Sequence, residues 1–469
     1  MKIYSVLLCF FLAGCSLMAR ETPPVPAVHK TNWKHYEDET VGLLQAYIRI
    51  NTSNPPGNEF AAASFFHRLF DKEDIPNKIY VFAPGRADVY AILRGDGSLR
   101  PLVLLNHLDV VRADPTAWKV PPFSAEILKG YLYGRGAIDM KDEGLLQAMV
   151  LVIAAREHAH LKRDLIFLGT GDEEVGDRGS AWLIEHHPEL VKGAQYLLTE
   201  GGSNLVYKGR GTVYGVGVAE KAPLWIRLTA HGRGGHASIP IAESAPDQLV
   251  HALNRVINWE PPVRLIPAVE EYFHNIATLE SEPLASKFRD IETSIKSADF
   301  VEQLSEDENF DYQIRDTVSL TMLHAGEQTN VIPNTAWAQL DVRLLPGESP
   351  QTFLDDLEDV IADDNISVQS VSPFRAPNSS PTDTGLYRVI EQTVHHDDPG
   401  ALVTPVLNSG YTESQMYRPL GIVCYGFSPI VVKPVIEATE HAPNERVPVR
   451  QIRRGLKLLY RVVIQAANE

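Results

Sequence analysis

The sequence predicts an α/β protein: a mixed sheet with helices on both faces, interrupted by a smaller ferredoxin-like α+β unit. Three observations carry that expectation. Short apolar runs at residues 78–81, 89–93, 101–105, 165–168 and 196–198 read as buried strands. A long helical pattern at residues 143–159 lies between them, so strands alternate with helices. Past Lys221 the order becomes strand 224–229, helix 246–258, strands 318–323 and 335–344, helix 352–362 and strand 366–371, which is the order of a ferredoxin-like unit.

Each element follows in turn. Lys2 precedes an apolar run at residues 6–13 that ends in Leu12-Ala13-Gly14-Cys15, so residues 1–14 read as a secretory signal. The run is too short to span a bilayer well. Its end resembles a bacterial lipobox, which implies lipidation of Cys15 and, with Ser16 next, anchorage of an exported protein on the periplasmic side of the outer membrane. An ordinary signal peptide is the alternative. The Pro-rich residues 15–34 form a tether. The larger domain then occupies residues 35–219, opening with helices near 35–50 and 59–72. The inserted domain covers residues 220–372, including a polar helical stretch at 262–316, and the larger domain resumes over 373–469.

Composition narrows the function. With 43 Lys plus Arg against 60 Asp plus Glu, the net charge of −17 disfavours nucleic-acid binding. Hydrophobic residues at 44% and charged residues at 22% fit a soluble globular chain. Three cysteines make no disulfide scaffold, and Cys424, in the apolar run 421–427, reads as buried.

The chemistry gathers where predicted strands end. His107 closes the run 101–105 with Asp109 two residues on, where alternation lets Asp109 hold the other imidazole nitrogen. Asp139 follows Gly134-Arg135-Gly136, Glu173 and Glu174 follow the strand at 165–168, Glu200 follows that at 196–198, and His441 stands downstream. Strand carboxyl ends are where open α/β sheets bind ligands. Two histidines and three carboxylates suffice for two Zn²⁺ ions sharing one carboxylate, with a further carboxylate left to move a proton. Singly, each motif has an ordinary structural reading as a turn, cap or solvated pair.

In combination, His107-Leu-Asp-Val-Val, Gly134-Arg-Gly-Ala-Ile-Asp139-Met-Lys, Gly171-Asp-Glu-Glu174-Val-Gly and Glu200-Gly-Gly resemble the dinuclear zinc aminoacylase/carboxypeptidase family. The resemblance covers nearly everything after residue 40 and leans towards carboxypeptidase S and the N-fatty-acyl-amino-acid hydrolases. It implies a zinc-peptidase-like catalytic domain with a lid. Asp139 would bridge two metals, with His107 and Glu200 on one and Glu174 and His441 on the other. Glu173 would be the general base and Asp109 the orienter of His107. Gly232-Arg-Gly-Gly-His236 resembles the lid motif whose histidine polarises the scissile carbonyl. Asn330 and Arg343 would bind the substrate's carboxylate, and Gly410 and Thr412 lie in a loop resembling a substrate-contacting one.

The implied reaction is hydrolysis of an amide bond beside a free carboxylate, in a small peptide or an N-acyl amino acid, with zinc, cobalt or manganese as metal. Homodimerisation through the lid is a further implication. Two other classes stand beside it. A lipid-anchored peptide-binding protein would not need Glu173 beside the ligands. A glycosidase built on Glu173 and Glu174 would need carboxylates about 5–9.5 Å apart across a sugar, which loop neighbours rarely provide.

Overall fold

The computed structural model describes residues 31–371 and 373–469; the signal segment, Cys15 and most of the tether lie outside the described residues. A nine-stranded mixed sheet dominates. Its order is Asn77–Ala83, Arg86–Leu93, Leu165–Thr170, Leu102–His107, Tyr196–Thr199, Val423–Gly426, Gly211–Glu220 and Leu402–Asn408, with Asn204–Tyr207 paired on Gly211–Glu220. The central strands Leu165–Thr170, Leu102–His107, Tyr196–Thr199 and Val423–Gly426 run parallel. Every residue of Leu102–His107 and Leu165–Thr170 is buried, as expected of strands covered on both faces. This is the α/β architecture that the alternating pattern predicts.

The helix Lys141–Arg156 is almost wholly buried and, past its charged first turn, mostly apolar. It lies between the sheet and the helices Trp33–Ile48 and Val449–Ala466. Because it starts two residues after Asp139, its burial fixes the height of that carboxylate above the sheet. Lys141, at its first turn, is buried too and donates from Nζ to the Ile50 carbonyl at 2.6 Å. Burial pushes this ammonium down to about 7. Cys424 is a free, buried thiol in its strand.

A second sheet, all antiparallel, is ordered Thr317–Ala325, Thr335–Leu344, Ala222–His231 and Ile366–Ser370. Residues of Ala222–His231 alternate between buried and accessible. Leu224, Ile226 and Leu228 face the amphipathic helices Ala245–Ile257 and Pro350–Ile361 through Leu249, Leu253, Phe353 and Leu357. The opposite face carries exposed Trp225.

The helical stretch 262–316 departs from the expected grouping. It is inserted in the sequence of the small domain, but its buried side chains belong to the core of the large one. Helix Pro267–Ile276 packs on strand Leu402–Asn408, and Asn275 donates to the Thr404 hydroxyl at 3.2 Å. Phe273, Phe288 and Phe310 form an aromatic cluster, with centroids 4.8 Å apart for Phe273 and Phe288 and 5.4 Å for Phe288 and Phe310. Periodicity correctly marks these faces as buried, yet it carries no information on which core receives them.

Phe288→Ala is therefore expected to destabilise the large domain by about 3–5 kcal/mol. Denaturant unfolding monitored at that domain checks this; a loss under about 1 kcal/mol would show that the insertion is not part of its core.

Candidate metal centre and active-site cleft

One strand end and four loops deliver the predicted side chains to one point. His107 ends its strand with its ring buried, and its Nε2 lies 2.9 Å from Asp139 Oδ1 and 3.4 Å from Glu200 Oε2. His441 approaches from the other side, its Nε2 2.7 Å from Asp139 Oδ2 and 3.3 Å from Glu174 Oε2. Each imidazole thus faces a different oxygen of the same carboxylate, each with one further glutamate beside it. Glu173 joins His107 and Glu200, with candidate ligand atoms within 4.8 Å of one another.

This donor set fits two divalent cations. Imidazole nitrogen and carboxylate oxygen are borderline and hard ligands suited to zinc and its neighbours, and a carboxylate with one oxygen towards each side is a bridging ligand. Electrostatics point the same way. Burial, then the charge of Glu200, lifts the Glu173 carboxyl well above its ordinary value. Burial and the negative charge of Asp139 raise both Glu174 and Glu200. Burial opposes ionisation of Asp139 also, but hydrogen bonds from His107 and His441 outweigh it and hold that carboxyl low. His441 is raised to about 10, first by its bond to Asp139 and then by Glu174. Crowded carboxylates that lift one another are what bound cations relieve.

The supporting groups hold the loops rather than the chemistry. Asp109 orients His107, but through its main-chain carbonyl, 3.0 Å from Nδ1; its carboxylate stands 3.9 Å off. That carboxylate instead accepts from the Glu173 amide at 3.1 Å, the Glu174 amide at 3.3 Å and Asn54 Nδ2 at 2.8 Å. The expected imidazole partner is thus the anchor of the two-glutamate loop. Buried Glu445 does the same for the Asp139 loop. It accepts from Arg135 at 2.6 Å and from the amides of Gly136, Ile138 and Asp139 at 3.1, 2.8 and 3.4 Å. Burial lifts its carboxyl to about 7, opposed by Arg135. Sequence reasoning assigned no role to Glu445, Arg135 or Asn54, although the first two flank residues it singled out; their pairing spans more than three hundred residues and has no local signal.

A cleft of about 1100 Å³ opens over the cluster. Asp139, Glu173, Glu174, Glu200 and His441 line it, as do Arg343, Gly410 and Thr412. Arg343 is paired with Asp341 at 2.7 and 3.0 Å. The Thr412 hydroxyl donates to Glu220 at 2.8 Å, so it is committed to holding its loop. His236 and Asn330 are different. Both are exposed on the small domain, where the pairing of Gly235–His236 with Val331–Ile332 brings them together, and neither lines the cleft. His236 Nδ1 accepts from the Ser238 amide and hydroxyl at 3.1 and 2.8 Å. The expectation that these two residues complete the site is not met within one chain.

Glu445→Ala is expected to cost roughly 3–5 kcal/mol, because Arg135 is then left buried and unpaired. Chemical denaturation measures this, and a cost near zero would contradict the anchoring role.

Residues 103–465 match the model of Peptidase family M20/M25/M40. The chain is 30% identical over 450 residues to an N-fatty-acyl-amino acid synthase/hydrolase of Xenopus tropicalis, covering 91% of this chain and 85% of that protein. It is 26% identical over 446 residues to aminoacylase-1B of Rattus norvegicus, covering 92% and 96%. Among solved structures, an M20 family metallo-carboxypeptidase from Sulfolobus solfataricus superposes with a TM-score of 0.72 at 18% identity, over 92% of this chain and all of that one.

Proposed function

The chain belongs to peptidase family M20/M25/M40 and is a metal-dependent hydrolase, and we propose that its cleft cleaves the amide bond of an N-acyl amino acid or small peptide beside a free carboxylate. The observation that carries this reading is the arrangement of His107 and His441 on opposite oxygens of Asp139, with Glu200 and Glu174 alongside.

In this reading Asp139, His107, Glu200, Glu174 and His441 would hold two Zn²⁺ ions, with Asp139 shared between them, His107 and Glu200 on one side and Glu174 and His441 on the other. Cobalt or manganese would satisfy the same donors. When bound, the metal pair supplies Lewis acidity to the scissile carbonyl and to the attacking water. Glu173, beside the ligands but assigned to neither ion, takes the water's proton and passes it to the leaving nitrogen. Arg343 attracts the substrate's carboxylate, exchanging Asp341 for a bidentate ligand. Asp109 and Glu445 keep the two acidic loops in register.

His236 then acts from a second subunit, reaching the carbonyl of its partner's site with Asn330 beside it. The edge strand Thr317–Ala325 supports a homodimer through the lid: Leu320, Met322 and Leu323 are exposed on it. Leu323→Glu should leave a monomer by light scattering, whereas an unchanged mass would remove this interface. The lipobox-like Leu12 to Cys15 supports a lipid-anchored protein exported to the periplasm and scavenging acyl amino acids or peptides. Among the described residues no helix is long and apolar enough to cross a membrane.

Glu173→Ala should retain fold and bound metal while kcat for N-acyl amino acids falls by about three orders of magnitude. Amino-acid release from a panel of N-acyl amino acids and N-blocked dipeptides, with and without chelator, measures this. Near-normal, chelator-insensitive turnover would overturn the assignment.

A further inference from the structure

The loop that carries Glu173 and Glu174 is bounded by two aspartates, and both adopt a left-handed backbone that residues with a side chain rarely take. Asp172 has a φ of 76° and Asp177 a φ of 53°. The Asp177 amide closes the loop on the Asp172 carbonyl at 2.6 Å. Such a turn persists only where its surroundings over-determine it. At the Asp172 end they do. Its carboxylate accepts from Arg86 at 2.7 Å, from Arg178 at 2.7 Å and from Asn54 at 2.8 Å.

The Asp177 end is held differently. Asp177 is buried, and its Oδ2 accepts from Arg375 Nη1 at 3.2 Å. Its Oδ1 is buried too and has no hydrogen-bond partner among the described residues. Arg375 is thus the ion-pair partner that this end of the loop depends on.

Arg375 does not come from a neighbouring loop. It lies in the linker by which the chain returns from strand Ile366–Ser370 of the small domain to Ser379, which bridges Ala219 of the large sheet. The same Nη1 donates to the Tyr411 hydroxyl at 2.7 Å. Tyr411 stands between Gly410 and Thr412, and Thr412 holds Glu220, where the chain first leaves the large sheet for the small domain. The linker is itself fastened: Asn378 donates to the Gln415 carbonyl at 3.1 Å and accepts from Arg418 at 3.1 Å. Arg375 therefore joins the two-glutamate loop to a fixed point at the domain boundary.

We propose that Arg375 is a positioning residue for the general base: through Asp177 it holds the far end of the two-glutamate loop against the interdomain linker and so fixes Glu173 relative to the metal ligands. The inference rests on the amidohydrolase reading for the role of Glu173, and it goes beyond that reading by giving a linker residue a task in the reaction. Arg375 lines the cleft, but its guanidinium is engaged with Asp177 and Tyr411. It acts on the loop, not on the substrate. The leverage is large, because a misplacement of about 1 Å costs on the order of a hundred-fold in rate.

The test follows amino-acid release from one N-acyl amino acid by the metal-loaded chain and its variants, with bound metal counted and amide hydrogen exchange read across residues 172–177. Arg375→Met should lower kcat by roughly 30- to 100-fold, with KM nearly unchanged and bound metal retained. Arg375→Lys, which keeps the charge, should recover most of that loss. Asp177→Asn should also lower kcat, and the double variant should be no slower than the slower single one. Should Arg375→Met fail to fold, Asp177→Asn carries the test with the smaller change. Loop amides should exchange faster in both single variants. An unchanged kcat, or additive losses in the double variant, would overturn the proposal. A loss confined to KM would overturn it as well, by making Arg375 a substrate contact. A natural chain that releases no amino acid would overturn the hydrolase reading instead, and exchange alone would then decide the clamp: faster exchange in Arg375→Met upholds it, unchanged exchange removes it.

Discussion

Four carboxylates, Asp139, Glu173, Glu174 and Glu200, converge on two imidazoles in a partly buried cleft, and that concentration of negative charge is the constraint to which the surrounding structure answers. Left alone, such groups repel one another and lose hydration, which is why burial and mutual charge lift Glu173, Glu174 and Glu200. The fold does not relieve this by dispersing them. It fixes their loops from behind, with Asp109 on the Glu173–Glu174 amides and Glu445 on the amides around Asp139. Arg135 is spent on Glu445, away from the cluster's mouth. The positive charge that the arrangement calls for is left to be supplied by metal.

The same centre explains the division of labour among the three parts of the chain. The large sheet ends its central parallel strands at one edge and so brings distant residues to one place. The small domain contributes Arg343 to the cleft but keeps His236 and Asn330 outside it. The insertion, although carried in the small domain's sequence, packs into the core of the large domain through Phe273, Phe288 and Phe310 and lines part of the cleft with Tyr272 and Tyr312.

Much of this was legible in the sequence. The buried strands announced themselves as short apolar runs, and His107, Glu173 and Glu200 follow such runs directly, so their position at strand ends was readable. The alternation of Leu224, Ile226 and Leu228 likewise announced a half-exposed sheet with helices on one side. What was not legible depends on long-range packing. A buried helix face does not name the core it enters, so the packing of the insertion against the large domain has no signal in the sequence. The spacing of His107 and Asp109 says that the two residues are close, but not that a main-chain carbonyl, rather than the carboxylate, meets the ring. Glu445 holds Asp139 across three hundred residues, and no pattern in one sequence reports such a pair.

The most direct test of the central claim is a titration of metal-stripped protein with Zn²⁺, following stoichiometry by calorimetry and stability by thermal unfolding. If the acidic cluster is built around a cation pair, two ions should bind per chain, with protons released as the raised carboxyls and His441 give up theirs, and the melting temperature should climb as the sites fill. A chain that binds no ion at the cluster, or whose stability is indifferent to metal, would contradict the account at its root.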